Sequence, residues 1–406
     1  MNEKVVLKLI RAEERRQAGV INLIASENYV SRAVRAASGS IFTNKYSEGY
    51  PGKRYYAGNE IVDEVERLAQ ERALKLFGLN PKKWGVNVQA LSGVPANVFV
   101  YSALVKNGDL MAAQALDQGG HLSHGSPVSL TSRFWKWVHY GVSKETETLD
   151  YDGITALLEK EFPKLIVAGF SSYPRRLDFK RFRTIADACG AYLMADIAHV
   201  AGLVAARAYP SPFPYADVVT MTTHKTLRGP RGALIFFKKE LEEKINKAVF
   251  PGGQGGPHNH QTAAIAVALA EAKSPAFKKY ARQTVANARV LAQELQKKRW
   301  RIVSGGTDNH LMLVDVSREG LSGKDAEKLL ESAGIIVNRN AIPFDARPPY
   351  NPSGIRIGTP AVTTRGMKGG DMKRIAEWLD GVLRRALEPA VVKAEIRRFI
   401  KKFPLP

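Results

Sequence analysis

A short stretch near the middle of the chain, residues 217–232, combines groups that could perform amine chemistry. Its apolar start leads into several threonines, then His224 and Lys225, and a turn rich in glycine and proline follows with Arg228 and Arg231. Neighbouring positive charge disfavours the ammonium form of a lysine. An amine of this kind is a nucleophile that forms Schiff bases with carbonyl compounds. For an isolated lysine, a solvated position in a surface turn is the commoner alternative.

Short apolar runs alternate with helical patterns through this part of the chain. The runs occupy residues 165–170, 191–195, 217–220 and 233–237. This alternation predicts a largely parallel sheet covered on both faces, and ligands of such sheets bind beyond the carboxyl ends of the strands. We therefore expect the polar residues that follow the runs to meet at one edge of the sheet. These residues are Ser171, Asp196, His199, His224 and Lys225.

Two further features suit pyridoxal phosphate (PLP). An acid that keeps the pyridine nitrogen of this cofactor protonated lets the ring accept electrons, and Asp196 ends an apolar run 29 residues before Lys225. The turn Ser92–Gly93 precedes a predicted helix, whose free N–H groups and dipole favour a phosphate. Alone, the aspartate could be a helix cap and the turn an ordinary connection. Together with Lys225 they favour the cofactor.

The composition excludes several classes of protein. The 406 residues are 45% hydrophobic and 24% charged, as in globular proteins. No apolar run is long enough to cross a bilayer, and the first residues do not form a signal peptide. The single cysteine, Cys189, excludes an internal disulfide and a cysteine-built metal site. We therefore expect a cytoplasmic protein without a membrane partner and without a metal.

The net charge of +21 raises the question of nucleic-acid binding. The basic residues are spread along the chain, with local concentrations only at residues 297–301 and 397–402. A solvated surface that also attracts small anions is the preferred interpretation. Nucleic acid is therefore not expected as a partner.

The flanking segments have recognisable patterns. Residues 2–18 form an amphipathic segment that could be an arm, and residues 43–59 form a loop rich in glycine, proline and tyrosine. Long aromatic loops are usually functional or lie at interfaces. After this loop, Asn59 is predicted to cap a helix that Gly78 ends. The predicted apolar face of this helix consists of Ile61, Val65, Leu68, Ala69 and Leu76.

Eight motifs together make the sequence resemble the serine hydroxymethyltransferase family. They are LIASEN at 23–28, TNKYSEGYPGKRYY at 43–56, GGHLSHG at 119–125, DIAHVAG at 196–202, TTHKTL at 222–227, VFPGGQGGP at 249–257, SGGTDNH at 304–310 and SGIRIGTP at 353–360. The resemblance covers nearly the whole chain, from about residue 23 to the last helices.

The resemblance implies the PLP-dependent transferase fold of the aspartate aminotransferase type. In this α/β fold, a large domain contains a mostly parallel seven-stranded sheet, and a smaller C-terminal α/β domain follows. On this basis we expect an N-terminal arm at residues 1–42, a large PLP-binding domain at residues 43–262, and a small domain with its connecting helix at residues 263–406.

The resemblance also implies an activity, the reversible transfer of the hydroxymethyl group of L-serine to a reduced pterin, which gives glycine and a methylene-pterin. Lys225 would form the Schiff base with PLP, Asp196 would pair with the pyridinium nitrogen, and His121 would stack on the ring. The other cofactor-binding residues would be Ser92, Gly93 and His224 at the phosphate, Ser171 and His199 at the ring hydroxyl, and Tyr46 and Gly256 from the neighbouring subunit.

Further positions match the family's substrate and pterin sites. Arg356 and Ser26 would bind the substrate carboxylate, since a guanidinium fork matches two oxygens. The neighbouring subunit would supply Glu48 and Tyr56 for proton transfer. Tyr55 would complete the substrate site, and the pterin site would be lined by Leu116, Gly120, Leu122 and Asn340. The active sites would therefore be shared within a homodimer.

Some positions depart from the family pattern. Val94 stands where a second hydroxyl residue is common in the phosphate-binding turn, Gln118 stands where histidine is frequent, and residues 344–352 are rich in proline. A modified pterin such as tetrahydromethanopterin, as in archaeal-type members, is therefore an alternative to tetrahydrofolate. Two other functions stay open, a pterin-independent aldolase for β-hydroxy amino acids such as threonine and a basic nucleic-acid-binding protein with a vestigial site.

Overall fold

The structure, a computed structural model, describes residues 3–406. The chain separates into two compact units, one formed by Val30–Arg282 and one formed by Gln283–Pro406 together with the described residues up to Tyr29. The boundary at residue 282 falls within a helix. The predicted domain limits at residues 42 and 262 stay predictions.

The described residues form helices that we number in chain order. They are α1 Glu3–Ala18, α2 Arg32–Ser38, α3 Glu60–Phe77, α4 Gly93–Leu104, α5 Thr131–Phe134, α6 Tyr151–Glu161, α7 Phe179–Cys189, α8 Ala201–Ala205, α9 Glu242–Lys247, α10 Asn259–Ala272, α11 Pro275–Lys297, α12 Gly323–Ser332, α13 Pro360–Thr364, α14 Gly369–Leu383 and α15 Pro389–Phe399.

The strands are numbered in the same way. They are β1 Ile21–Asn22, β2 Gly49–Tyr50, β3 Lys53–Arg54, β4 Trp84–Asn87, β5 Leu110–Gln114, β6 Lys136–Tyr140, β7 Leu165–Gly169, β8 Tyr192–Asp196, β9 Val218–Thr222, β10 Ala233–Lys238, β11 Arg301–Ile302, β12 Leu311–Asp315, β13 Ile335–Ile336, β14 Asn338–Asn340 and β15 Gly354–Gly358.

A seven-stranded sheet forms the centre of the Val30–Arg282 unit, with the strand order β4-β10-β9-β8-β7-β5-β6. Every neighbouring pair is parallel except those that β10 forms with β4 and β9. Strands β7 and β9 are buried along their whole length, as expected for a sheet covered on both faces. The prediction of a mostly parallel seven-stranded sheet is confirmed.

Helix α4 packs its apolar side chains against this sheet. Phe99 and Tyr101 of the helix belong to one buried cluster with Leu165, Met194 and Ile235 of the strands. Full burial of such a side chain contributes about 1.5–3 kcal/mol. The packing fixes the N-terminal end of α4 relative to the sheet edge, where the candidate phosphate turn lies.

Helix α3 follows Asn59 and ends at Gly78, which adopts the left-handed conformation with φ of 68°. The predicted apolar face is wrong in part, because Ile61 is 61% exposed and Leu68 is 37% exposed. The prediction that the Asn59 side chain caps the helix is also wrong, since its Nδ2 donates to the carbonyl of Tyr56.

The buried face of α3 contains two carboxylates instead. Asp63 and Glu66 both accept hydrogen bonds from the Arg54 guanidinium, at 2.8 and 2.5 Å, and Glu66 also accepts from Gln89 at 2.8 Å. This pairing is long-range and cannot be seen in a helical periodicity. It anchors the hairpin β2–β3 on α3.

The other unit contains a four-stranded antiparallel sheet in the order β11-β12-β15-β14 and a parallel pair, β1 and β13. Its core includes Trp378 of α14 and Ile396 of α15. Helix α1 buries none of its residues. Within residues 3–406, every helix is too short or too polar to cross a membrane.

Candidate active site

The carboxyl ends of three parallel strands bring the predicted chemical groups to one edge of the large sheet. Asp196 ends β8 and lies beside Thr220 of β9 in the strand register. Lys225 follows the end of β9 by three residues, and Ser171 follows the end of β7 by two. The predicted meeting of these residues at one sheet edge is therefore found in the structure.

Hydrogen bonds join the segments that follow β8 and β9. The Thr226 hydroxyl donates to the carbonyl of His199 and accepts from the N–H of Gly202, both at 3.0 Å. The Thr222 hydroxyl donates to the carbonyl of Ala198 at 3.3 Å. The side chains of His199 and Lys225, which lie in the two segments joined by these hydrogen bonds, are both buried.

Two hydrogen bonds with Thr223 hold the turn that follows Lys225. The N–H of Gly229 donates to the carbonyl of Thr223 at 2.7 Å, and the Thr223 hydroxyl donates to the carbonyl of Pro230 at 2.5 Å. His224 is partly buried beside two cations. Burial, followed by the charges of Lys225 and Arg231, lowers the pKa of His224 to about 3, so this imidazole is neutral at physiological pH.

Asp196 is a buried, ionised carboxylate. Its Oδ2 accepts from Asn97 Nδ2 at 2.8 Å and from His124 Nε2 at 3.1 Å, and its Oδ1 accepts from the N–H of Ala198 at 2.9 Å. Burial is the largest influence and opposes ionisation, but the hydrogen bonds and charges of His124, His121 and Asn97 together outweigh it. The pKa of Asp196 is held well below its ordinary value.

The two side chains that bind Asp196, those of His124 and Asn97, were not predicted from the sequence. His124 stands in the motif at 119–125, three residues after His121, and only the first histidine of this motif was singled out. Asn97 was missed because it lies in the predicted helix after the phosphate turn. Its signal was a single polar residue in the otherwise apolar run 96–100 of α4.

His121 is connected to the same group of residues. Its Nδ1 is 2.8 Å from Ser123 Oγ and accepts from the Ser123 N–H at 3.2 Å. Its ring centroid lies 5.4 Å from that of His124. His121 is therefore close to the side chains that donate hydrogen bonds to Asp196. A residue that covers the cofactor ring would need to lie in this position.

The predicted phosphate turn lies at the start of α4, where Ser92 precedes Gly93. A Cβ at Gly93 would come within 2.8 Å of the Thr222 Cγ2 at the end of β9, so glycine permits this close approach. The Ser92 hydroxyl makes no capping bond to the helix. Val94 is exposed, and its N–H belongs to the first turn, whose N–H groups favour an anion.

Four of the residues predicted to come from a neighbouring subunit form a cluster of their own. The Tyr46 hydroxyl donates to Glu48 Oε1 at 3.1 Å, and the rings of Tyr46 and Tyr56 meet edge to face at 5.1 Å. A Cβ at Gly256 would lie 3.3 Å from the Tyr46 ring. The hydrogen bond to Glu48 raises the pKa of Tyr46. Tyr55 instead packs edge to face against the Phe250 ring at 5.6 Å.

The predicted carboxylate-binding residues belong to the other unit. Arg356 lies in β15 and is buried, and burial lowers its pKa to about 10, so the guanidinium remains charged at neutral pH. Its Nε donates to Asn338 Oδ1 at 3.2 Å. The carbonyl of Leu23 accepts from the N–H of Gly358 at 2.7 Å, which places the segment that contains Ser26 at the end of β15.

The predicted pterin positions are divided between the two units. Leu116, Gly120 and Leu122 follow β5, and both leucine side chains are exposed. A Cβ at Gly120 would lie 2.1 Å from the carbonyl of Gln114, so this position accepts only glycine. Asn340 ends β14, and its Nδ2 donates to the carbonyl of Ala341 at 2.7 Å.

Gln118, one of the departures from the family pattern, has a structural contact. Its Oε1 accepts from the N–H of Val142 at 2.8 Å, and its backbone carbonyl accepts from Gln114 at 2.7 Å. The side chain therefore braces the loop that carries Leu116 and Gly120.

Comparison with known proteins gives a consistent result. The family model described as "Serine hydroxymethyltransferase" matches residues 1–379. Proteins named "Serine hydroxymethyltransferase" from Sorangium cellulosum and Koribacter versatilis are 54% and 53% identical to this chain, over 99% and 98% of it and 95% and 94% of their own lengths. One from Acidothermus cellulolyticus is 51% identical over 100% of this chain and 96% of its own.

Proposed function

This chain belongs to the serine hydroxymethyltransferase family, and we propose that it transfers the hydroxymethyl group of L-serine reversibly to a folate-type reduced pterin. The products are glycine and a methylene-pterin. Enzymes of this family depend on PLP, and the chemistry of the sheet edge suits this cofactor.

The observation that carries the proposal is the position of Asp196 at the end of β8 and of Lys225 just after β9, the adjacent strand. A buried carboxylate with three hydrogen bonds fits a cationic ring nitrogen, and a buried lysine on the neighbouring strand end supplies an amine. The Ser92 side chain makes no capping bond at the start of α4, so it does not occupy the first N–H groups of the helix, which favour a phosphate. These features support PLP binding.

PLP, when bound, supplies a ring that takes up electrons released at the α-carbon of the amino acid. Asp196 keeps the ring nitrogen protonated, because its pKa lies far below neutrality. Lys225 holds the cofactor covalently, and His121 covers the ring face. The remaining cofactor contacts come from Ser92, Gly93 and His224 at the phosphate, and from Ser171 and His199 at the ring hydroxyl.

The substrate is held and activated by a second set of residues. Arg356 and Ser26 bind the carboxylate of serine, and the charged guanidinium provides two parallel donors. Glu48 and Tyr56 carry out proton transfer near the side-chain hydroxyl of serine, and Tyr55 completes the substrate site. The hydrogen bond from Tyr46 to Glu48 positions the carboxylate that moves the proton.

We propose that the protein works as a homodimer with shared active sites. Tyr46, Glu48, Tyr56 and Gly256 then act in the neighbouring subunit's site. Leu116, Gly120, Leu122 and Asn340 bind the pterin. Tetrahydrofolate is the first carrier to test, and tetrahydromethanopterin is the alternative suggested by the loop at residues 344–352.

The purified protein, saturated with PLP, tests this function. We expect it to form glycine from serine when tetrahydrofolate or tetrahydromethanopterin is present, and the Lys225→Ala variant to form none. Serine incubated without a pterin is the first control. Glycine formation from serine at an equal rate with and without a pterin would instead identify a pterin-independent aldolase, and the absence of glycine with either pterin would contradict the proposal.

A further inference from the structure

A directed chain of hydrogen bonds connects the carboxylate of Asp196 with the ring of His121. Asn97 Nδ2 lies 2.8 Å from Asp196 Oδ2 and 3.0 Å from Ser123 Oγ. Ser123 Oγ in turn lies 2.8 Å from His121 Nδ1. Asn97 and Ser123 are both buried, so water does not compete for these bonds.

The chemistry of the groups fixes the direction of each bond. An ionised carboxylate only accepts, so the Asn97 atom that faces Asp196 is its amide nitrogen. The amide oxygen then faces the Thr220 hydroxyl, which donates to it at 2.8 Å. The backbone N–H of Ser123 donates to His121 Nδ1 at 3.2 Å, so this nitrogen carries no hydrogen and the Ser123 hydroxyl donates to it at 2.8 Å.

This direction has a consequence for the tautomer of His121. Its Nδ1 receives both the hydroxyl hydrogen and the backbone N–H of Ser123, so Nδ1 is an acceptor. The neutral ring therefore carries its hydrogen on Nε2. Asn97 thus donates to Asp196, and Ser123, which is bonded to Asn97, sets the orientation and tautomer of His121.

We propose that Asn97 and Ser123 are positioning residues that lock Asp196 and His121 into a single hydrogen-bonded unit around the PLP ring. The inference rests on the proposed function, since it assigns these two residues to the same cofactor site. Asn97 holds the carboxylate that would face the ring nitrogen, and Ser123 holds the imidazole that would cover the ring. Neither residue is required to touch the cofactor.

The anchoring of Asn97 supports a positioning role. Asn97 lies on α4, whose first turn contains Gly93, and Thr220 lies within β9 on the strand that leads to Lys225. The amide therefore connects the helix of the phosphate turn, two strands of the sheet and the loop of His121. A side chain with these four attachments transmits any displacement at one of them to the others.

A double-mutant cycle on PLP affinity tests the unit. The cofactor-free protein is titrated with PLP, and dissociation constants are measured for Asn97→Ala, Ser123→Ala and the double variant. Loss of a hydrogen bond to a charged group should weaken binding about tenfold in Asn97→Ala. The loss should be about threefold in Ser123→Ala, since a neutral hydrogen bond is weaker. If the residues act as a unit, the double variant should lose about tenfold, whereas independent effects would multiply to about thirtyfold.

Two variants control for general structural damage. Asn287 is a buried asparagine of the other unit that donates two hydrogen bonds, to Thr363 and Met367, both at 2.9 Å. Asn287→Ala should lower thermal stability and leave the PLP dissociation constant unchanged. Ser123→Thr keeps the hydroxyl and should restore the wild-type affinity that Ser123→Ala loses.

A measurement without cofactor separates this inference from the proposed function. Nitrogen NMR of labelled histidine, with His121 assigned by its loss in His121→Asn, should show the Nε2–H tautomer in the wild-type protein. Ser123→Ala should give a mixture of tautomers. If the wild-type protein binds no PLP, the proposed function fails. The inference is then decided by the His121 tautomers in the wild-type protein and in Ser123→Ala.

The inference is overturned by any of three results. These are PLP affinity in Asn97→Ala within about twofold of wild type, multiplying effects in the double variant, and an unchanged His121 tautomer in Ser123→Ala. Should Asn97→Ala fail to fold, the affinity and the NMR spectrum of Ser123→Ala, which lacks only one hydroxyl, still decide it.

Discussion

Asp196 is the residue on which the electrostatics of the site depend. Burial alone would favour the protonated acid, yet Asn97 and His124 donate to the same carboxylate oxygen and keep the group charged. A charge maintained in this way is available to neutralise a cation that enters the site. Loss of the carboxylate would also destabilise the site, since each of its hydrogen-bond donors would be left without an acceptor.

Replacement of Asp196 by asparagine should therefore remove the negative charge of this side chain while keeping its shape. We expect Asp196→Asn to lose about 10–100-fold in PLP affinity, because a charge-assisted hydrogen bond to the ring nitrogen is worth about 1.5–3 kcal/mol. Equilibrium titration of the cofactor-free variant measures this loss. The control is Asp315→Asn, since Asp315 is also buried but pairs with Arg301 at 3.0 Å in the other unit. Unchanged affinity in Asp196→Asn would contradict the assigned role.

His224 should make the stability of the protein depend on pH. Burial and two neighbouring cations lower its pKa in the fold to about 3, from 6.5, so the folded protein resists protonation that the unfolded chain accepts. Stability is therefore complete above pH 6.5 and is lost as the pH falls towards 3. Between pH 7 and 5 the loss from this group is about 2 kcal/mol.

The His224→Asn variant should lack this contribution. Urea unfolding of the cofactor-free protein at pH 7 and pH 5 should show a smaller loss of stability for the variant than for the wild type. The exposed His258 offers a control, because His258→Asn should keep the wild-type difference between the two pH values. Equal losses in His224→Asn and wild type would show that this histidine is not held neutral in the fold.

At the scale of elements, the turn at the start of α4 depends on the absence of one methyl group. A Cβ at Gly93 would lie 2.8 Å from Thr222 Cγ2, which is too close for carbon atoms. Gly93→Ala should therefore displace the start of α4 and weaken PLP binding about tenfold, since strain of about 1–3 kcal/mol is typical of such overpacking.

The second substitution Thr222→Ser tests this explanation directly. Serine lacks the Cγ2 methyl group and keeps the hydroxyl that donates to Ala198. The double variant Gly93→Ala/Thr222→Ser should recover most of the affinity in the same titration. If Gly93→Ala binds PLP as the wild type does, or if Thr222→Ser brings no recovery, the contact does not govern the turn.

Some elements could be predicted from the sequence because their burial is local. Strands β7 to β10 are continuous apolar runs, since both faces of the sheet are covered. Two strands of the same sheet, β5 and β6, were not predicted. The first contains two adjacent alanines, which favour strands weakly. The second is an edge strand that is only partly buried, so its sequence shows no apolar run.

Long-range pairing explains the remaining differences. The face of α3 that is buried holds Asp63 and Glu66 because Arg54, from another element, forms ion pairs with both. In the same way, Asn97 and His124 have a role only because the fold brings them to Asp196. The motif residues at the strand ends could be identified from the chain, whereas the partners that tune them depend on tertiary contacts that spacing does not reveal.

At the scale of the whole molecule, the described residues leave large apolar side chains in solvent. Val128, Ile41 and Tyr55 are 86%, 80% and 74% exposed, and the apolar residues of α1 are also exposed. Each of these side chains is available for contact with a partner subunit, since the burial of apolar surface favours association. These surfaces support the proposed homodimer, in which the cluster of Tyr46 and Glu48 would serve a partner's site.

A mixture of two inactive variants tests whether the sites are shared. One variant, Lys225→Ala, lacks the amine in its own site, and the other variant, Glu48→Gln, lacks the carboxylate that a subunit lends to its partner's site. In a hybrid dimer with shared sites, one site carries both defects and the other carries neither. Random assembly makes half of the dimers hybrid, each with one intact site, so glycine formation should recover to about a quarter of the wild-type rate.

The design of this experiment excludes a simple mixing effect. Each variant alone should be inactive, and the two proteins mixed after separate purification, under conditions where dimers do not exchange, should stay inactive. Activity should appear only after co-expression or after unfolding and joint refolding. If each subunit instead completed its own site, every site in a hybrid would carry one defect. No activity would then return, and the assignment of Glu48 to the neighbouring subunit's site would be wrong.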